Sequence, residues 1–331
     1  MSIQSLVVFG LTVSIFLAVL AVGMRVVPAD LNCVLSRPSR LIRALLAINV
    51  LAPIIAVVVC KTFSLHPAVI VALVTLAVAP VGALFSQAML PLVAPGNIAY
   101  ARGVFFATTA LSVILTPLAV EGIQIAFGEG EAVHMSPLAV AQVVVSSVLL
   151  PLGLGLAIGH WWPVARRWTS VLQKVSGVLL LVCAITLIAG AWPLMALVVR
   201  EGTLAAIVII TLVGLAVGHL LGGPNEDDRT VLAFATVSRH PGVAVAVASL
   251  TDQPLAPIGV LLAVLVSEAA VVPYKLWRKR RRMAVVAGEA ERSPVDQGAL
   301  RREGARRPEH ARGWLQDSLH RLRHALRQLS P

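Results

Sequence analysis

Arg239, His240, Pro241 and Gly242 stand in the middle of FATVSRHPGVAVAV (234–247), a stretch otherwise apolar enough to cross a bilayer. A charge at the bilayer centre costs roughly 2.5–3.5 kcal/mol on insertion scales. Proline and glycine break a helix whose freed backbone groups find no water in lipid. Residues of this kind are kept in such a place where they do chemistry. A guanidinium stays protonated and grips a carboxylate through two parallel hydrogen bonds. An imidazole titrates near neutral pH and can carry a proton. The other charge well inside an apolar stretch is Glu268, in LVSEAAVV (265–272). Its expected partner is Arg239, directly or through His240, as a proton relay or an ion pair. Thr236 and Ser238, just before the break, add hydroxyls to the candidate substrate site.

A second interruption, Pro80-Val81-Gly82, falls at a comparable place in the first half of the chain. Paired broken helices point to a secondary transporter built from inverted repeats. Where two helices unwind near the midplane, the half-helix amino termini offer free N–H groups and the positive end of a dipole to an anion. Pro80, Gly82, Pro241 and Gly242 are therefore the candidate crossover residues. Ser86 and Gln87 past the first break, and Thr108, Thr109 and Ser112 on the following helix, complete the candidate substrate-binding set. Pro53 and Pro117 read as simple kinks.

The elements that must position these residues are membrane helices. Of 331 residues, 58% are hydrophobic and 13% charged, with a mean hydropathy of +0.87. Soluble domains average about 25% charged residues. The fold class is all-α and polytopic. Apolar runs predict nine spans, near 3–24, 41–63, 67–93, 98–120, 136–159, 170–195, 202–222, 229–250 and 255–277. Arg25, Arg37, Arg40, Arg43, Arg102, Arg166, Arg167, Lys174 and Arg229 fall in one set of connections, against Lys61 and Arg200 in the other. The richer side is cytoplasmic. That places the amino terminus outside and the carboxyl terminus inside, as an odd number of spans requires. The first apolar stretch has no basic region before it and reads as a retained span rather than a cleaved signal.

Residues 1–277 form the expected transmembrane domain and 278–331 a basic cytoplasmic tail, with 14 Lys/Arg against 6 Asp/Glu. The tail opens with RKRRR (278–282) and closes on a leucine stripe, Leu315, Leu319, Leu322, Leu326 and Leu329, opposite Arg321, Arg323 and Arg327. Such an amphipathic helix lies on anionic lipid or pairs with a partner helix. The charge is concentrated there, so nucleic acid is not an expected partner. A homo-oligomer is left open. Cys33, Cys60 and Cys183 are scattered, giving neither a disulfide framework nor a metal site. No cofactor or metal is expected. His160, His219, Trp161, Trp162 and Trp192 read as interfacial.

Four stretches carry a family likeness. GMRVVPADLNCVLSRPSRLIRALLAINVLAP (23–53), APVGALFS (79–86), TTALSVILTP (108–117) and DRTVLAFATVSRHPGVAVAVAS (228–249) resemble, in order, segments of the bile acid:sodium symporter superfamily. The resemblance covers about 23–277. It implies a panel domain packed on a core domain in which the two broken helices cross, and many members have one span more than the nine found here.

The resemblance also implies sodium ligands, and there this chain departs. The family's Glu and Gln of the second crossover helix fall on Ala235 and Arg239. Its Ser-Asn pair falls on Phe85 and Ser86, or on Tyr100 and Ala101 if Pro95-Gly96-Asn97 is the true match. Of the implied ligand hydroxyls only Thr108, Thr109 and Ser112 remain. A hard cation wants a cage of oxygens, usually with a carboxylate.

The expectation is a secondary transporter for a small organic anion in a bacterial inner membrane, proton-coupled or uncoupled, and not an enzyme. Two alternatives stand beside it: a sodium symporter with a rearranged ion site, and a membrane sensor signalling through the basic tail. An oxyanion exporter of the related fold would want a cysteine near the crossover, where none of the three lies.

Overall fold

The computed structural model describes residues 3–27, 36–82, 92–93, 98–128 and 133–305. The chain divides into two compact units, Met1–Arg278 and Lys279–Pro331. The leucine-striped segment of the tail lies outside the described residues.

The protein is helical throughout its described length, apart from turns and one short bridge, as an apolar chain in lipid must be to satisfy its own backbone. In chain order the helices are α1 (Ile3–Arg25), α2 (Pro38–Thr62), α3 (Pro67–Val78), α4 (Ile98–Phe127), α5 (Pro137–Trp161), α6 (Thr169–Val198), α7 (Thr203–Leu221), α8 (Glu226–Val237), α9 (Pro241–Ala248) and α10 (Ala256–Ala305). Among the described residues five are long and apolar enough to cross a bilayer unaided, or six with a bent pair over Pro163–Val198. With the bent pair counted, three of the nine expected spans fall outside this set: α1, apolar here over Phe9–Arg25, and two runs that breaks cut short. Helix α3 ends after 12 residues, and the apolar run at 229–250 is split into α8 and α9, of 12 and 8 residues. In the other direction, α10 does not stop at 277 but runs to Ala305.

Proline punctuates the fold in two ways. Pro38, Pro67, Pro137 and Pro241 occupy first turns, where a missing N–H costs nothing. Pro53 and Pro151 lie inside spans, and each is preceded by a π-helical turn, Leu46–Leu51 and Val145–Leu149. There the hydrogen bonds run to the fifth residue back, as from Ala52 N–H to Ala47 O. The widened turn gives the proline ring room it lacks in a regular helix.

Helix α1 packs lengthwise against α5 and α6. Gly23, Gly155 and Gly159 let α1 and α5 touch backbone to backbone. A Cβ on Gly159 would lie 2.6 Å from Met24 O, and one on Gly23 2.5 Å from Leu152 O. Small residues play this part in membrane helices because van der Waals contact, not a hydrophobic effect, holds helices together in lipid. Ser14 and Ser176 tie α1 to α6 by exchanging hydrogen bonds, each hydroxyl donating to the other's carbonyl at 2.8 Å. The outer face of α6 leaves Val178, Leu181, Val182 and Ile185 exposed, as a lipid-facing side does.

The remaining helices build the apolar core around Phe105, Phe234, Ile48, Leu232 and Val71, all fully buried. Thr116 of α4 donates to Val78 O at the end of α3, at 3.0 Å. Gly218 of α7 and Gly259 of α10 admit the backbones of α8 and α3. At the start of α8, Asn225 caps the helix through the N–H groups of Asp227 and Asp228. The buried Asp228 meets Arg40 of α2 at 3.0 Å, and Arg278 of α10 binds Glu226. These pairs anchor the entry into the second broken helix.

Candidate functional site: the crossing of two broken helices

Helix α3 unwinds at Ala79, which turns extended, and α8 unwinds at Ser238 before Pro241 opens α9. The two unwound segments pair with each other. Val81 and Arg239 form an antiparallel bridge. Gly82 N–H donates to Ser238 O at 2.9 Å and His240 N–H donates to Pro80 O at 2.8 Å. Each break thus supplies what the other lacks, which is how irregular backbone survives at membrane depth. Pro80, Gly82, Ser238, Arg239 and His240 are brought together in this way. A Cβ on Gly82 would lie 3.2 Å from Arg239 O, a tight contact that a few tenths of an ångström of movement would relieve. Gly242 is packed under the Ile15 side chain, which joins the second break to α1.

The chain matches the family model described as Sodium Bile acid symporter family over residues 12–197, more than half its length. It belongs to the sodium bile acid symporter family. No curated protein matches it. The matched part holds the first break of this symporter-family chain and stops before the second, so the surroundings of Arg239 are read from geometry alone.

Arg239 is 8% exposed, and its guanidinium donates to three main-chain oxygens. Nε reaches Thr236 O at 3.0 Å, Nη1 reaches Ala79 O at 3.1 Å and Nη2 reaches Ile48 O at 2.6 Å. Each oxygen has lost its helical donor for a local reason. The π-turn shifts the partner of Ile48 O to Pro53, which has no N–H. The fourth residue after Thr236 is His240, whose N–H is committed to Pro80 O. Ala79 has already left α3. Two of these oxygens belong to helix carboxyl ends, where the dipole favours a cation. Three of the five guanidinium N–H groups are used, leaving two.

The amino end of α9 is the complementary feature. Pro241 has no N–H, Ala244 N–H returns to His240 O at 3.1 Å, and the N–H groups of Gly242 and Val243 meet no acceptor among the described residues. His240 beside them is 3% exposed, and its Nδ1 is buried with no hydrogen-bond partner. A turn of free N–H groups and an unsatisfied imidazole lie one residue from a buried cation.

Other expected residues fall differently. Glu268 does not pair with Arg239: its carboxylate binds Lys275 at 2.8 Å and is largely exposed. The ammonium lies two turns along the same helix, whereas the Arg239 guanidinium is already held by carbonyls. Thr108 and Ser112 of α4 are buried and donate to carbonyls of their own helix, as Thr236 of α8 does. Thr109 Oγ1 is buried without a partner. Ser86 and Gln87 lie outside the described residues. His219, expected at an interface, sits 2.9 Å from the Tyr274 hydroxyl with Trp277 beside it.

Sequence reasoning took Pro53 for a simple kink and missed Ile48, although a proline five residues after an isoleucine in an apolar helix was a usable signal. It also missed a cavity of about 40 Å³ behind the crossover, lined by Arg239, Thr236, Thr211 and Ser267 among apolar side chains. Thr211 donates to Ser267 Oγ at 2.9 Å across that cavity wall. The cavity suits a water or a small ion, whereas organic ligands need several hundred Å³, on the order of 300 or more.

Proposed function

We propose that this protein is a secondary transporter that carries a small organic anion across a bacterial inner membrane by alternating access, with its amino terminus outside. The observation that carries the reading is the pairing of the two breaks around Arg239, with the open amino end of α9 and His240 adjoining it. The anion's charge group takes the Gly242 and Val243 N–H groups, and the buried positive charge of Arg239 lowers the cost of bringing it there. Sodium is not required, because the guanidinium already provides the fixed positive charge. His240 moves a proton with the substrate, or the anion moves down its own gradient. The helices α1, α5 and α6 form the panel against which the crossover rocks, with Ile15 and Gly242 at the contact. The tail rests on anionic lipid.

The reading is tested by counterflow of a panel of labelled monocarboxylates, dicarboxylates and sulfonates into proteoliposomes loaded with the same unlabelled anion. Accumulation for one class, lost in His240→Ala, is expected. A labelled anion that binds the purified protein but never accumulates would make the protein a receptor.

A further inference from the structure

The three oxygens around Arg239 have the character of a cation site. They come from three separate elements, each oxygen freed by a break or a π-turn, and all converge within 2.6–3.1 Å of guanidinium nitrogens. Among the described residues no carboxylate pairs with Arg239. A buried charge without a counter-charge survives only where dipoles replace its hydration. Carbonyl oxygens do this for free monovalent cations as readily as for a side chain. The adjoining cavity brings the Thr211, Ser267 and Thr236 hydroxyl-bearing side chains to the same place, with room for a water.

We infer that Arg239 is a tethered cation occupying a carbonyl site, and that the site takes up a monovalent cation from solution once the side chain is removed, guanidinium best and sodium next. Shape favours guanidinium, because the three oxygens are already arranged around a planar fork. The wild-type protein is therefore permanently in its cation-loaded form. Binding at this site does not depend on the transport reading, although its consequence for flux does.

The test uses the full chain purified in detergent, as wild type and as Arg239→Ala and Arg239→Met. Thermal unfolding is followed while guanidinium chloride is raised through the millimolar range, far below denaturing concentrations. Sodium chloride and choline chloride serve as parallel series. In Arg239→Ala the midpoint is expected to start below wild type and to rise by several degrees, saturating as a ligand does. Wild type and Arg239→Met, whose side chain fills the space, are expected to show no saturable rise. If Arg239→Ala does not survive purification, the yield of folded protein solubilised with and without guanidinium is read instead, with a several-fold gain expected.

A flat response in Arg239→Ala, or an equal rise in wild type, overturns the inference. So does a yield that guanidinium leaves unchanged. A guanidinium-stabilised Arg239→Ala beside a wild type that gives no anion flux in any condition would keep the site and sink the transport reading.

Discussion

The Arg239 guanidinium binds the main-chain oxygen of Ile48 at 2.6 Å, so the break in the second crossing helix is fastened to the π-turn of α2. Pro53 makes the oxygen available and Arg239 uses it. The same side chain holds Ala79 at the end of α3. One residue thus ties together three helices at the point where two of them have no regular backbone bonding.

Removing that tie is costly. Arg239→Met leaves three buried oxygens without donors, at about 1–3 kcal/mol each when nothing replaces the bond. A loss of at least about 3 kcal/mol is expected in denaturant unfolding of the purified protein. Arg239→Lys keeps the charge but reaches fewer oxygens, and should fall between wild type and Arg239→Met. A Met variant as stable as wild type would mean that water or a shifted backbone satisfies the oxygens.

Gly242→Ala is expected to impair flux and folding through its collision with Ile15. The effect should be relieved by Ile15→Ala, which makes room. A double-mutant cycle should give a coupling of about 0.5–3 kcal/mol, as contacting residues do. Additive effects would show that α1 is not packed on the second break in the membrane.

Gly159→Val should disrupt the seam between α1 and α5, because the added side chain meets Met24 main-chain atoms that cannot turn aside. Overpacking of this kind costs about 1–3 kcal/mol or more. The expected result is a lowered unfolding midpoint with the crossover chemistry unaltered in the protein that remains. Gly153→Ala, where the added Cβ meets nothing within 4 Å, is the control and should be silent.

Glu268→Gln should change little. Its carboxylate is held by Lys275 at 2.8 Å and meets neither Arg239 nor His240. Flux and its pH profile are expected to match wild type within about twofold, a change small against the tenfold that 1.4 kcal/mol would give. A shifted pH profile would return Glu268 to the proton path.

The crossing of two broken helices was legible because Pro80, Gly82, Pro241 and Gly242 interrupt apolar runs that have no other reason to stop. The helical class followed from hydropathy alone. The partners of Arg239 were not legible, since a carbonyl oxygen has no letter of its own. A search among side chains finds the acid Glu268, whereas the bonds go to the backbone at residues 48, 79 and 236. The span count is left open for a related reason. Hydropathy adds up residues across a break that geometry divides, and it ends α10 at a basic cluster that the helix passes through. The glycine seam of α1 and α5 was equally silent, because a glycine in a membrane helix shows its use only once its neighbour is known.

On the proposed reading, Arg239 supplies the fixed positive charge that a bound sodium ion would otherwise bring. The most direct measurement is anion counterflow in proteoliposomes at fixed pH, with sodium replaced completely by choline. The account predicts equal initial rates in the two salts for the wild type, with flux lost in Arg239→Ala when choline is the only cation. Wild-type flux that stops in choline and survives Arg239→Ala would contradict it, and would make Arg239 a structural clamp beside a sodium site located elsewhere.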